Sequence, residues 1–330
     1  MKNYNIPNFY KSLHFAVSKN ITNYNKSAVN DIDYNDIKVS QDFKNAIDET
    51  VETFCNHPAY KHKLFQYLEN QKNEGFNKNQ FQIYRDNFFH RTELTIPSVA
   101  SAVIAATKNS DYITVSQMAK NLYDEGGYGD PNKVHAKLLL DSHNLHGEKI
   151  FNLQPVRRIK DIENSDYITN ETKNYRSSKI NAFNESYSYI IGNTWAHEFL
   201  ADGMLENFKN AFFEPYKGYY TPKGYEKVIE FYKAHRDDEK EGGDVEAEHE
   251  RMVRDSVIRS CDSDIKKYNE VLRGSLEFMS RQSNLWDSML SLLEKNQKSS
   301  EIIPTKEAFS DSISNANIAN KLTNKTTLQK

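Results

Sequence analysis

Between Met252 and Met279 the apolar residues fall at steps of three and four: Met252, Val253, Val257, Ile258, Cys261, Ile265, Tyr268, Leu272, Leu276 and Met279. A stripe with that period is one face of a helix, and it predicts a long helix buried along one side. A helix of that length covers its stripe only by packing against other helices. The rest of the chain agrees. Only 12 glycines and 8 prolines occur in 330 residues, too few punctuators for many short strands and tight turns. No stretch alternates apolar and polar residues with a period of two, and no internal repeat stands out. The expected fold is all-α.

Further helical faces follow from the same period. Phe43, Ile47, Val51 and Phe54 mark one, Tyr60–Glu69 and Phe81–Phe89 continue the pattern, and Pro97 opens the small-residue stretch Ser98–Thr107. A helix is expected from Thr114 to about Glu125, and another from near Asn132. Residues 178–213 read as one long run, and a later helix reaches His235. Residues 1–40 are polar and Asn-rich, and 297–330 are rich in Ser, Asn and Lys, so both ends are expected to be mobile tails around a catalytic bundle at 41–296.

A formal net charge of −3 gives no basic footprint for nucleic acid. The apolar window Ile96–Ala106 is too short to cross a bilayer, and the start lacks a secretory pattern. A cytoplasmic location is the expectation. Cys55 and Cys261 have no paired-motif spacing and read as buried thiols of a reducing compartment.

The segment NLYDEGGYGDPNKVH, residues 121–135, is the first with chemical content. It sets Asp124 and Glu125 at the end of one apolar run and His135 at the start of the next, with glycines between. Two readings fit: a helix end followed by a surface loop, or a metal site built from both sides of the break. Elsewhere His235 and Glu239 stand at i,i+4, and Glu246 and His249 at i,i+3, spacings that place two ligands on one helical face. Glu198, in IGNTWAHEFLADGML, sits among Ile191, Trp195, Phe199 and Leu205, where an unpaired carboxylate is costly unless it faces solvent. His197 projects roughly 100° away around the helix from it. His90 and His197 are weaker candidates, while His14, His57, His62, His143 and His146 read as surface residues.

The order of these segments resembles the haem-oxygenase-like di-iron oxidases and oxygenases, also described as iron-containing redox enzymes. Members carry a segment like NLYDEGGYGDPNKVH, then an inward glutamate in a context that GNTWAHE matches. An aromatic-rich helix follows with a histidine, an acid and a second histidine, to which FYKAHRDDEKEGGDVEAEH is similar. The resemblance spans roughly residues 60–280. It implies a haem-oxygenase-like helical bundle with metal ligands Glu125, His135, Glu198, His235 and His249, and with Glu239 or Glu246 as a further carboxylate. In the family the two histidines of the last segment stand seven apart with the acid between them. Here that register lands on Gly242 from either end, and an insertion of about seven residues, nearly two helical turns, reconciles His235 with His249. Glu93 is a further carboxylate on an earlier helix, and Asp124, Tyr123 and Tyr128 are expected to steady the imidazoles.

The resemblance implies two irons per chain, Fe/Fe or Mn/Fe, and oxidation of a small organic substrate by dioxygen. Relatives are associated with N-oxygenation, oxidative C–C cleavage and p-aminobenzoate formation, among which the sequence does not choose. The expected partners are that substrate and dioxygen, with no nucleic acid and no membrane, and with homodimerisation left open. Two alternatives stand beside it. A metal-free thiaminase-like hydrolase of the same fold needs a nucleophilic cysteine, and a non-enzymatic helical interaction protein needs only the scaffold and its tails. Haem binding needs one axial histidine and does not explain clustered glutamates.

Overall fold

The computed structural model describes residues 41–235, 245–261 and 264–297. Among them are twelve α-helices and no strand. In chain order they are α1 (Gln41–Asn56), α2 (Lys63–Gln71), α3 (Lys78–Thr92), α4 (Thr95–Lys108), α5 (Tyr112–Glu125) and α6 (His135–Phe151). There follow α7 (Asn170–Ala182), α8 (Tyr187–Phe212), the short α9 (Pro222–Val228) and α10 (Glu230–Ala234), then α11 (Val245–Cys261) and α12 (Ile265–Lys295). The all-α expectation holds. Both expected tails and Glu239 lie outside the described residues.

The ends of these helices are written locally. The Asn77 side chain accepts from the Gln80 N–H while Gln80 accepts from Asn77, a reciprocal cap that starts α3. Asp111 caps α5 through the Thr114 N–H at 3.0 Å, and Thr169 caps α7. Ser186 restarts the chain as the cap of α8, so the run expected as continuous over 178–213 is two helices broken after Ala182. The long stripe is likewise two helices, α11 and α12. Asp264 caps α12 by accepting from the Lys266 N–H. Both breaks keep the apolar period in register, which is why periodicity alone reads across them.

Helix α8 runs through the middle of the bundle, packed chiefly against α12 and α11. Two glycines allow the close crossing of α8 and α12. A Cβ on Gly192 would stand 2.1 Å from the Val271 carbonyl oxygen, and one on Gly274 2.2 Å from that of Tyr189. Trp195 joins α8 to α11: its indole N–H donates to Glu250 at 2.8 Å while its ring packs on Phe54. This contact lies beside both Glu198 and His249. Arg259 ties α11 to α5 through Thr114 and Gln117. Around this frame Phe208, Phe212, Tyr84 and Trp286 form an aromatic core, with the Tyr84 and Phe212 rings stacked at 4.1 Å. Truncating one such side chain costs about 3–5 kcal/mol.

Four histidines expected at the surface are buried: His57, His62, His143 and His146. His143 and His146 lie on α6, which is packed on several sides and so lacks the polar face that marks burial, while His57 and His62 lie in the connection between α1 and α2; His14 lies outside the described residues.

Candidate metal centre

The break after α5 is a tight reversal built on glycine. The Gly126 and Gly127 N–H groups cap the carbonyls of Leu122 and Asp124 at 2.9 Å each. Gly127 then takes φ +74, and a Cβ there would lie 2.4 Å from the Lys133 carbonyl carbon. No other residue fits that position without moving the returning strand of the loop. The chain re-enters α6 at His135, whose Nδ1 stands 3.3 Å from Glu125 Oε2. A helix end and a surface loop are therefore both present, and the metal-site reading of the same segment survives beside them.

His235 follows α10, which packs on α6. Its Nδ1–H donates to the Phe231 carbonyl oxygen at 2.7 Å, which makes Nδ1 the protonated nitrogen and turns the unprotonated Nε2 toward Glu125 Oε1, 3.9 Å away. The His135 and His235 rings lie 4.3 Å apart between centroids. One ligand atom from each of Glu125, His135 and His235 falls within 4.8 Å of the others, and all three residues are buried.

A second group adjoins the first through Asp124, the neighbour of Glu125. The two acidic side chains point differently from the last turn of α5. His249, on α11, has Nε2 3.3 Å from Asp124 Oδ2 and Nδ1 3.9 Å from Glu198 Oε2. An Nε2–H donated to Asp124 leaves Nδ1 unprotonated on the Glu198 side. Asn121, one turn before Glu125, donates to Glu198 Oε1 at 3.4 Å. Glu198 faces inward, 5% exposed.

Electrostatics separates the two carboxylates. Burial pushes Glu125 up, but the imidazoles of His135, His235 and His249 outweigh it and bring its pKa down to about 2. Burial raises Glu198, reinforced by the nearby Glu125, against the pull of His249 and Lys179. His235 falls to about 3, first through burial and then through His135, so its imidazole is neutral at pH 7. Ionised carboxylate with neutral imidazole is the protonation state that metal ligation needs.

The donor set fits a divalent metal. Two imidazoles and a carboxylate on one side of a site are a recurrent ferrous arrangement, and Glu198 with His249 offers a second donor pair. The buried His135 Nδ1 makes no hydrogen bond despite its 3.3 Å approach to Glu125. That nitrogen is available, beside the Glu125 carboxylate, to a shared ion.

Of the expected site residues, Glu125, His135, Glu198, His235 and His249 are brought into one buried region. Glu246 stands in the first turn of α11, its side chain outside the described part. Glu93 does not enter: it pairs with Arg176 at 2.7 Å. Tyr123 and Tyr128 do not steady the imidazoles either. They are exposed and bond to one another, Tyr123 O–H to the Tyr128 carbonyl. Asp124 does reach an imidazole. His90 and His197 are buried but lie outside the cluster, His197 against Phe278. Sequence reasoning missed the contact of Asn121 with Glu198, although its i,i+4 spacing from Glu125 carries the signal. It missed Lys179 altogether.

No protein-family model and no curated protein sequence matches this chain. Solved structures that resemble it include two crystal structures of a CADD-like protein of unknown function from Nostoc punctiforme PCC 73102. Each is 14% identical and covered over 98% of its length, with TM-scores of 0.53 and 0.55 over 77% and 79% of this chain. A domain of unknown function with a heme oxygenase-like fold, from Shewanella denitrificans OS217, aligns at 13% identity and a TM-score of 0.49, covering 82% of this chain and all of that one. The all-helical fold is shared with the CADD-like protein. At these identities the likeness concerns the fold alone.

Proposed function

We propose that this protein is a non-haem di-iron oxidase or oxygenase acting on a small organic substrate with dioxygen. The observation that carries the reading is the convergence of buried Glu125, His135 and His235 ligand atoms within 4.8 Å. Glu198 and His249 stand beside them as holders of a second ion. Bound ferrous iron would supply activation of dioxygen, chemistry that side chains alone do not offer.

The residues have distinct tasks. Glu125, its pKa at about 2, supplies the negative charge between the imidazoles. The Phe231 carbonyl fixes the His235 tautomer, and Asp124 fixes that of His249. Asn121 orients Glu198. The burial of every member keeps water away from the reacting region. Cys261 does not serve the hydrolase alternative, because it is fully buried and its thiol is pushed up to about 12, far from a thiolate at pH 7; Cys55, expected to be buried, is half-buried. Among the described residues no helix is long and apolar enough to cross a membrane.

Anaerobic titration of the metal-free protein with ferrous iron, followed by metal analysis, tests the proposal. Two irons per chain, with an optical change on admitting oxygen, support it. One iron per chain supports only the Glu125 group, and no bound iron sinks the reading.

A further inference from the structure

At the far end of α5 from Glu125, three helices begin around one cavity of about 540 Å³. Tyr112 and Ile113 open α5, Tyr187 and Ser188 open α8, and Lys267 stands in the first turn of α12; all five line the cavity. Arg259, near the end of α11, lines it as well. The volume is that of a small-molecule site.

The cavity is rich in unmet donors. Each cap side chain satisfies one first-turn amide: Asp111 accepts from Thr114, Ser186 from Tyr189 and Asp264 from Lys266. The amides of Tyr112, Ile113, Tyr187, Ser188 and Lys267 have no backbone partner. Ser188 is 7% exposed, and its hydroxyl makes no hydrogen bond among the described residues. The Arg259 side chain is also 7% exposed. Its Nη2 donates to Thr114 and Ser256 at 3.0 Å each, but its buried Nε has no hydrogen-bond partner. Lys267 is exposed and makes no ion pair among the described residues.

The charge points the same way. One carboxylate, Asp111, lines the cavity, and it is already engaged. It accepts from the Thr114 amide and hydroxyl and from the Tyr187 hydroxyl, with its Oδ1 3.7 Å from Arg259 Nε. Arg259 and Lys267 against Asp111 leave one positive charge. Each of the three helix N-termini adds about half a charge more, and the C-terminus of α11 cancels one of these. An anion is therefore the complement. The free amides, the Ser188 hydroxyl and the two cations outnumber what the two oxygens of a carboxylate can accept, and they suit the three terminal oxygens of a phosphate monoester. Phosphate alone leaves much of the volume unfilled. The exposed Tyr112 ring and Ile113 offer a wall to the rest of an ester.

We propose that this cavity binds the phosphate group of a phosphorylated small molecule, whose body lies against Tyr112 and Ile113. The site is separate from the metal centre. Asp111 caps one end of α5 and Glu125 closes the other, fourteen residues or about 20 Å of helix apart. The proposal does not depend on the oxygenase reading.

The test uses full-length protein without metal. Calorimetry and thermal unfolding are followed during titration with phenyl phosphate at constant ionic strength, with inorganic phosphate, acetate and phenol as comparisons. The expected result is a saturable heat and a rise in Tm with phenyl phosphate, weaker binding of inorganic phosphate, and no response to acetate or phenol. Equal affinity for inorganic phosphate would assign the cavity to the free ion and remove the ester. Two variants locate the site. Ser188→Asp sets a carboxylate in the first turn of α8, where negative charge favours the helix. Lys267→Glu reverses an exposed charge. In each, circular dichroism reports folding and phenyl phosphate affinity should fall at least about tenfold. The proposal is overturned if phenyl phosphate gives no saturable response, if acetate or phenol matches it, or if either folded variant responds as the wild type does.

Discussion

Helix α6 delivers histidines to two buried clusters, and the clusters differ in their partners. At its first turn His135 meets Glu125 and His235. Further along, His143 and His146 meet phenols. His143 Nε2 lies 3.2 Å from the Tyr84 hydroxyl, which also bonds that of Tyr232, and His146 Nδ1 lies 2.9 Å from the Tyr220 hydroxyl. All of these histidines are buried. Burial drives His143 well below the usual range and His146 down to about 3, and it raises Tyr84 and Tyr232 far above theirs. A phenol so raised keeps its proton and hydrogen bonds one nitrogen of each imidazole, while His143 Nδ1 and His146 Nε2 stay buried without a partner. It offers no negative charge to a cation. The carboxylate, more than the histidine, separates the candidate metal centre from the histidine–phenol cluster.

Removing that carboxylate should have the largest effect. Glu125→Ala is expected to lower ferrous affinity by at least about a hundredfold, whereas His143→Phe leaves it unchanged. Anaerobic titration reads both. Iron at a hundred times its dissociation constant stabilises by about 2.7 kcal/mol, a Tm rise of about 5–10 °C, which Glu125→Ala should abolish and His143→Phe retain. If His143→Phe also lost the shift, the two clusters would not be chemically separate.

Gly127→Ala tests the reversal that brings His135 to Glu125. Its φ of +74 and the 2.4 Å approach predict a loss of about 1–3 kcal/mol in denaturant unfolding, together with weaker iron binding. Unaltered iron affinity would show that the loop does not set the spacing.

A smaller, pH-dependent effect sharpens the contrast. The folded pKa of His146, about 3, lies below its ordinary value of 6.5. The unfolded chain therefore takes up the proton first, and stability is full above about pH 6.5 and falls as pH drops toward 3. His146→Phe should flatten the acid limb of stability by up to about 1.4 kcal/mol per pH unit without changing iron affinity near neutrality. Denaturant midpoints between pH 4 and 7 give the slope; an unchanged slope would mean that His146 is protonated in the fold. Smallest of all, Tyr123→Phe deletes only an exposed hydroxyl contact, and within about 0.5 kcal/mol should leave stability and iron binding unaffected.

Much of this was legible in the chain. The 3.6-residue stripes predict the helices, and the glycine pair after Glu125 predicts the end of α5 at the observed residue. Other features were not. Residues 178–213 and 252–279 read as continuous because a short break need not disturb an apolar period. His143 and His146 read as surface residues because their partners, Tyr84 and Tyr220, are remote in sequence. Glu93 reads as a further carboxylate on an earlier helix, and Arg176, distant along the chain, draws it elsewhere.

By itself the sequence determined which residues can form helices and where Glu125, His135 and Glu198 stand in local register, since backbone periodicity and turn chemistry act over a few residues. Which acids and imidazoles converge was decided only by tertiary structure. The α8–α12 crossing at Gly192 and Gly274, and the Trp195–Glu250 contact, set Glu198 against His249. The same packing sets Lys179 over the Phe278 ring, its Nζ without a hydrogen bond. The physical reason is that burial and charge pairing depend on atoms a few ångströms away in space, most of which lie many turns away along the chain.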